Sequence, residues 1–101
     1  SVTFIPLSCF NGCSSLMHVS IPSSIIRIDY GAFKNCSSLT QISIPSSVTK
    51  IGCCAFYGCT LLAKVLIASI NTKIEKDSFS KCPLLSNTSF HYKDNVEILI
   101  T

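Results

Sequence analysis

Phenylalanine recurs in this chain at a fixed step of 23 residues, and this period constrains the fold more than any other feature. Cysteine, leucine and isoleucine keep the same step. The columns are Phe10, Phe33, Phe56 and Phe79; Cys13, Cys36, Cys59 and Cys82; Leu16, Leu39, Leu62 and Leu85; Ile5, Ile28, Ile51 and Ile74; and Ile21, Ile44, Ile67 and Phe90. A constant period of this size is typical of solenoids, in which each repeat is one coil that buries its apolar side against its neighbours. We therefore expect a mainly β repeat solenoid with the phenylalanine rings packed between its walls.

Residues 33–55 are the clearest single repeat. Ile42 and Ile44 alternate with Gln41 and Ser43, which is the pattern of a half-buried strand with one apolar and one polar face. Equivalent strands of successive coils should lie side by side and parallel, with right-handed connections. The predicted strands of this main sheet lie near residues 16–21, 39–44, 62–67 and 85–90.

After the strand, the repeat turns and returns along an opposite wall. Pro45 ends the strand because it has no N–H to donate, and serines 46–47 predict a turn closed by hydroxyl-to-backbone hydrogen bonds. Val48 and Ile51 lie three residues apart, which indicates a second extended segment. Gly52 is expected to permit a tight corner.

The period also sets the domain organisation. We expect one domain of about four coils, and apolar residues near both ends indicate a piece of a longer array or a unit that associates end to end. The fourth coil is the least regular: Thr88 occupies the position of Val65, and the pattern predicts one added residue before Val96. After a partial coil at 1–9, the predicted coils are 10–32, 33–55, 56–78 and 79–101.

The pattern within one coil, LxxIxIPxxVxxIGxxAFxxC, resembles the leucine-rich repeats of BspA-like surface proteins. Residues 39–59 match it almost position for position, and residues 16–36 match it with Asp29 in place of the glycine. The resemblance implies a right-handed leucine-rich repeat superhelix with one short parallel strand per coil. It also implies a non-enzymatic role in adhesion to host cells or matrix proteins, at the cell surface or in secreted form.

Residue chemistry favours no other class of function. The sequence has no GxSxG, P-loop or HExxH motif, and His18 and His91 are predicted to lie about three coils apart. We therefore predict no enzyme, no metal and no cofactor. A net charge of +3 spread along the chain does not indicate nucleic-acid binding, and no apolar run reaches the length of a membrane span.

The seven cysteines are interpreted as packing residues. Four of them form one column of the core, where a free cysteine behaves as a small hydrophobe. Their Cβ vectors should run parallel, which disfavours disulfides although neighbouring coils are close enough. Cys9, Cys53 and Cys54 have no cysteine one coil away. We expect reduced thiols throughout.

Two outward surfaces remain as candidate sites, together with two glycosylation sequons at Asn35 and Asn87. The first surface is the polar face of the main sheet, and the second is a basic column on the opposite wall, where like charges either fan into water or meet an anion. The predicted sheet face contains His18, Ser20, Gln41, Ser43, Lys64, Leu66, Asn87 and Ser89. The basic column contains Arg27, Lys50 and Lys73.

Three hypotheses about function follow. The chain is an interaction module of a surface adhesin that binds a protein or a glycan, or it is a passive spacer that displays another domain. An intracellular scaffold is the third, because unpaired thiols are more stable in a reducing compartment.

Overall fold

A computed structural model describes residues 3–69, 71–86 and 90–92, and every regular element within these ranges is a β-strand. After the first strand, two kinds of strand alternate along the chain, one of two residues and one of three or four. The strands are β1 (Phe4–Ile5), β2 (Arg27–Ile28), β3 (Gln41–Ile44), β4 (Lys50–Ile51), β5 (Lys64–Ile67), β6 (Lys73–Ile74) and β7 (Phe90–Tyr92).

The strands form two parallel sheets that share one apolar core. The short strands pair in the order β1-β2-β4-β6, and the longer ones in the order β3-β5-β7. Arg27 pairs with Lys50 and Lys50 with Lys73, so the sheet of short strands keeps the 23-residue step of the sequence. The predicted mainly β solenoid, with a second extended segment in each coil, is confirmed.

A third set of hydrogen bonds joins the coils at the turn that follows each short strand. In this turn the Gly31, Phe33 and Asn35 amides donate to the carbonyls of Cys53, Ala55 and Tyr57, at 3.1, 2.7 and 2.7 Å. The same bonds recur between the other coils, as in Phe10 to Ala32 and Phe56 to Ser78. Every other amide of the turn is thus bonded to the next coil, and the coils are joined on this side as well as in the two sheets.

Each turn contains two residues in the left-handed backbone region, and both positions repeat every 23 residues. Residues other than glycine rarely adopt this conformation, and here the hydrogen bonds between coils hold their backbone in it. The first column is Ser8, Gly31, Cys54 and Asp77, and the second is Gly12, Asn35, Gly58 and Lys81, all with φ between 54° and 76°.

Gly52 has a different role from the one predicted. It does not have a positive φ, so the tight corner does not depend on its conformational freedom. A Cβ atom at this position would lie 2.8 Å from the Asp29 carbonyl carbon and the Tyr30 nitrogen of the preceding coil. Glycine is required here because two backbones approach too closely for a side chain.

The phenylalanine column forms a continuous stack through the core. Successive ring centroids lie 5.2 Å apart and the ring planes differ by at most 9°. Phe33 and Phe56 are fully buried and Phe79 is nearly so, but Phe10 is 37% exposed because no further ring covers it in the described coils. The column is therefore confirmed as packing, with one partly open end.

The predicted main sheet is wrong at both ends. The first coil has no strand over 16–21, and only Ser20 forms an isolated parallel bridge, with Ser43. In the last strand, β7, Phe90 pairs with Val65 and not with Ile67 as predicted. Because β3 and β5 pair at a step of 23 and β5 and β7 at a step of 25, two residues are added before β7.

The polar turn after Pro45 is also closed differently. The Val48 amide donates to the Pro45 carbonyl at 3.1 Å. The Ser47 hydroxyl is buried and has no hydrogen-bond partner among the described residues, so the backbone and not the hydroxyl closes this turn. The predicted insertion before Val96 lies outside the described residues.

Candidate functional site

The polar face of the longer-stranded sheet is built by alternation along β3 and β5. In both strands the first and third residues are exposed, and the second and fourth are buried. The register sets Gln41 beside Lys64 and Ser43 beside Leu66, and it fixes the spacing of these side chains across the face. Four of the predicted face residues are thus brought together on two hydrogen-bonded strands.

The first coil adds one residue in register to this face. Ser20 is exposed and its bridge to Ser43 places it beside the Ser43–Leu66 column. His18 is also exposed, but it lies in no strand, so the structure does not hold it in register with Gln41.

The backbone pairing of the fourth coil differs from the prediction. Because β7 is displaced by two residues, the backbone of His91 pairs with Leu66, where Ser89 was expected. Asn87 and Ser89 lie outside the described residues. Alternation of Phe90 and Tyr92 around His91 was the signal that could have located this strand.

A shallow, open depression of about 320 Å³ lies at the carboxyl end of this face. Ser20, Ser43 and Leu66 line it together with apolar groups of all three coils, among them Val19, Pro45 and Ala68. Leu66 is 41% exposed, which is high for a leucine in the middle of a strand. The face therefore combines hydroxyl, amide and ammonium groups with an apolar contact on an open surface.

The basic column on the short-stranded sheet is largely neutralised within the chain. The Arg27 Nε lies 2.9 Å from Asp29 Oδ1, and the guanidinium also stacks 4.4 Å from the Phe4 ring centroid. The Lys50 Nζ lies 2.9 Å from Glu75 Oε1 in the next coil. A hydrogen bond and the positive charge of Lys50 lower the pKa of the Glu75 carboxyl.

Lys73 has no ion-pair partner among the described residues, although its charge also contributes to the lowered pKa of Glu75. The column consequently consists of two ion pairs and one exposed lysine, Lys73. For Arg27 and Lys50 the counter-charge is an acid of the same chain, whereas for Lys73 both alternatives drawn from the sequence stay predictions.

The cysteine column consists of free thiols, three of which donate to the backbone of the preceding coil. The Sγ atoms of Cys36, Cys59 and Cys82 lie 3.2, 3.1 and 3.1 Å from the carbonyl oxygens of Phe10, Phe33 and Phe56. Burial raises the pKa of the Cys36 thiol, and contact with Cys82 together with burial raises that of Cys59. These three thiols are buried, whereas Cys13 at the end of the column is only half-buried.

The Asn35 sequon is exposed at a turn, in the left-handed conformation. Its side-chain oxygen lies against Gly58 of the next coil, where any Cβ atom would collide with it. The second sequon, at Asn87, lies outside the described residues.

Within the described ranges, no three cysteine, histidine or acidic side chains converge to hold a metal ion. The same residues form no helix that is long and apolar enough to cross a membrane.

Comparison with known proteins identifies the repeat. The family model described as "BspA type Leucine rich repeat region (6 copies)" matches residues 1–99, and the chain therefore belongs to this family of leucine-rich repeat proteins. The resemblance predicted from the coil pattern is confirmed.

A solved structure gives the same result for the fold. The chain is similar to a leucine-rich repeat protein from Bacteroides ovatus, with 36% identity over 83% of this chain and a TM-score of 0.76. The matched region is 22% of that protein, so this chain spans about a fifth of its length. A search of proteins with curated functions finds no match.

Proposed function

We propose that this chain is a non-enzymatic interaction module of a cell-surface adhesin and that it binds a protein partner through the face formed by β3 and β5. The observation that carries this proposal is that the side chains of Gln41 and Lys64 are exposed and unpaired within the part of the chain that the structure describes. They are exposed neighbours in register, and their side chains have no hydrogen-bond or ion-pair partner among the described residues. Their hydrogen-bonding groups are available to a ligand.

The backbone beneath Lys64 supports the proposal because β5 is paired with a strand on both sides. β5 is hydrogen-bonded to β3 and to β7, and the alternate residues Val65 and Ile67 are completely buried. A ligand that contacts Lys64 and Leu66 would therefore have little backbone to order on binding, which reduces the entropic cost of association.

A protein partner is favoured over a small molecule by the shape of the face. The depression beside Ser43 and Leu66 is shallow, whereas small-molecule sites are enclosed and bury most of their ligand. An exposed leucine among polar groups resembles the apolar centre and polar rim of a protein interface. A glycan is the second ligand class that such a polar face suits.

Surface location and adhesion are supported by membership of the BspA-type family. The passive spacer and the intracellular scaffold are the alternatives, and binding measurements separate the spacer from the adhesin. A spacer would leave Gln41 and Lys64 without any ligand.

The test is a double variant, Gln41→Ala with Lys64→Ala, compared with a matched control, Asn71→Ala with Lys76→Ala. The control also removes one exposed amide and one exposed lysine, but outside the β3–β5 face. Binding to a panel of purified extracellular-matrix proteins and of sulfated and unsulfated glycans is measured by surface plasmon resonance, and melting by circular dichroism.

We expect the face variant to bind at least about fivefold more weakly, since interface truncations that matter cost more than about 1 kcal/mol. Melting should change little, because exposed substitutions shift stability by less than about 0.5 kcal/mol. Equal binding by the face variant and the control, or binding of nothing in the panel by the parent chain, would favour the spacer.

End-to-end self-association is a second candidate interaction, favoured by the partly open end of the phenylalanine stack. Phe10 is 37% exposed, and Cys13 and Leu16 beside it are only partly buried. Sedimentation of the parent chain and of Phe10→Ser over a range of concentrations tests it. Self-association that Phe10→Ser abolishes supports the contact, and a concentration-independent monomer argues against it.

A further inference from the structure

Cys53 and Cys54 are adjacent in the sequence and their sulfur atoms lie 3.4 Å apart. In an extended strand, neighbouring side chains point to opposite faces. Here the pair lies in a turn, and Cys54 adopts the left-handed conformation with φ of 60°. The turn thus places two thiols on the same side of the backbone.

The pair belongs to one coil only. The equivalent residues of the neighbouring coils are Tyr30 with Gly31 and Lys76 with Asp77, and none of them carries sulfur. Coil packing therefore does not require a thiol at either position. This distinguishes the pair from the cysteine column, in which every coil supplies the same residue to the core.

Both thiols are more accessible than the three buried thiols of the column. Cys53 and Cys54 are half-buried, whereas Cys36, Cys59 and Cys82 are buried and donate to backbone carbonyls. A reagent that needs two sulfur atoms together can reach this pair from solvent without opening the core.

The geometry favours a bridging atom over a direct disulfide. Adjacent Cα atoms across a trans peptide are about 3.8 Å apart, which is shorter than the roughly 4.4–6.8 Å that disulfides normally span. A single atom bonded to both sulfurs through bonds of about 2.3 Å, the length of a zinc–sulfur bond, would place them about 3.8 Å apart at the tetrahedral angle and about 3.3 Å apart at a right angle. The observed 3.4 Å is closer to the right-angled arrangement, which a pyramidal centre provides.

The class of ligand follows from the donors. Two thiolates suit a soft, thiophilic centre, and the described residues supply no third metal-binding side chain at this site. Glu75 and Asp77 are near enough to raise the pKa of Cys53 but do not complete a coordination shell, and the first cause of that raised pKa is the hydrogen bond with Cys54. The ligand must therefore be a centre that needs only two sulfur ligands from the protein.

We propose that Cys53 and Cys54 form a bidentate thiol site for trivalent organoarsenicals, R–As=O. In the reaction two S–H bonds break and two As–S bonds form. Both protons leave with the oxo oxygen as water, and arsenic stays trivalent, so no oxidant or reductant is needed. The proposal is independent of the sheet face and of the proposed function.

The test uses phenylarsine oxide and the reduced full chain, with adducts counted by intact-protein mass spectrometry under native conditions. We expect one adduct per chain, with the mass of the reagent less one water. Excess dithiothreitol should remove it and an equal thiol concentration of 2-mercaptoethanol should not, because only a dithiol replaces both bonds.

Cys53→Ser and Cys54→Ser should each abolish the stable adduct, whereas Cys9→Ser, which removes an exposed single thiol, should retain it. Far-ultraviolet circular dichroism confirms that each variant is folded. An adduct that survives in either Cys53→Ser or Cys54→Ser, or a native chain that binds no reagent, would overturn the proposal. Rapid dissociation with 2-mercaptoethanol would show one-point attachment and would overturn it as well.

Discussion

Replacement of Phe56 by leucine should destabilise the chain about twice as much as the same replacement of Phe10. Phe56 is completely buried and stacks on the rings of both Phe33 and Phe79, at 5.2 Å. Phe10 is 37% exposed and stacks on Phe33 alone among the described rings. Leucine keeps most of the apolar volume in both cases and removes the ring contacts.

The magnitude follows from the number of contacts. An aromatic pair contributes about 0.5–1.5 kcal/mol beyond its buried area. Phe56→Leu loses two pairs, about 1–3 kcal/mol, and Phe10→Leu loses one, about 0.5–1.5 kcal/mol. Alanine is avoided because it would cost about 3–5 kcal/mol at Phe56, a large share of the stability of about 5–15 kcal/mol that is usual for a domain.

Urea unfolding followed by circular dichroism measures both losses, and an unchanged m-value shows that the unfolding transition is of the same kind. Double-mutant cycles add a sharper test. Phe33 and Phe56 are in contact and should couple, whereas Phe10 and Phe56 are about 10 Å apart across Phe33 and should be additive. Equal losses at Phe10 and Phe56, or coupling between these two, would refute stacking by nearest neighbours.

Three further predictions concern the thiols, the ion pair and the close approach of the coils. Cys36 and the other buried column thiols should react with a thiol reagent only on unfolding; fast labelling of Cys36 in the native chain would contradict the hydrogen-bonded column. The pKa of Glu75 should rise towards the ordinary carboxyl value in Lys50→Met, as followed by nuclear magnetic resonance titration. Because folding lowers this pKa, the pair should stabilise the parent above the ordinary carboxyl pKa of about 4.3, and the effect should disappear as pH falls through the folded value. Gly52→Ala should lower the free energy of unfolding, measured in urea, by about 1–3 kcal/mol, because the new Cβ would lie 2.8 Å from the Asp29 backbone. An unchanged urea midpoint would show that the two backbones can move apart at no cost in stability.

The period was enough to predict the core, because a column in a solenoid is a physical stack. Residues 23 apart occupy equivalent positions in neighbouring coils. Each phenylalanine or cysteine of a column therefore lies beside the same type of residue in the next coil. The same reasoning failed at β7, where the column of Ile67 continues in Tyr92 and not in Phe90. A fixed step cannot report an insertion, whereas local alternation around His91 could.

Other features depend on contacts between coils that the alignment of columns does not contain. Gly52 looked like a corner residue because glycine often has that role, but here the limiting distance is to the backbone of the coil before it. The adjacency of Cys53 and Cys54 was visible in the sequence. Their convergence was not, because it depends on the left-handed backbone at Cys54.

The ion pair of Lys50 could have been predicted by comparing two columns of the repeat. Arg27 has an acid two residues later, at Asp29, but Lys50 has Gly52 at the equivalent position. The next acid in that column is Glu75, one coil away, and Lys50 reaches it at 2.9 Å. Reading the acidic column beside the basic one would have predicted paired charges, where the basic column alone predicted side chains that fan into water or meet an external anion.

Alternation along β3 separates stability from binding at the level of single residues. Ile42 and Ile44 are buried and join the coil to its neighbours, while Gln41 and Ser43 on the same strand are exposed. In a solenoid, each coil's contribution to stability comes mainly from its own packing and from contacts with the coils on either side. Substitution of Ile42 should therefore lower stability and affect binding only through unfolding, whereas substitution of Gln41 should affect binding alone. If Gln41 variants melted as early as Ile42 variants, the polar face would be part of the packed structure, and a binding role for it would lose its physical basis.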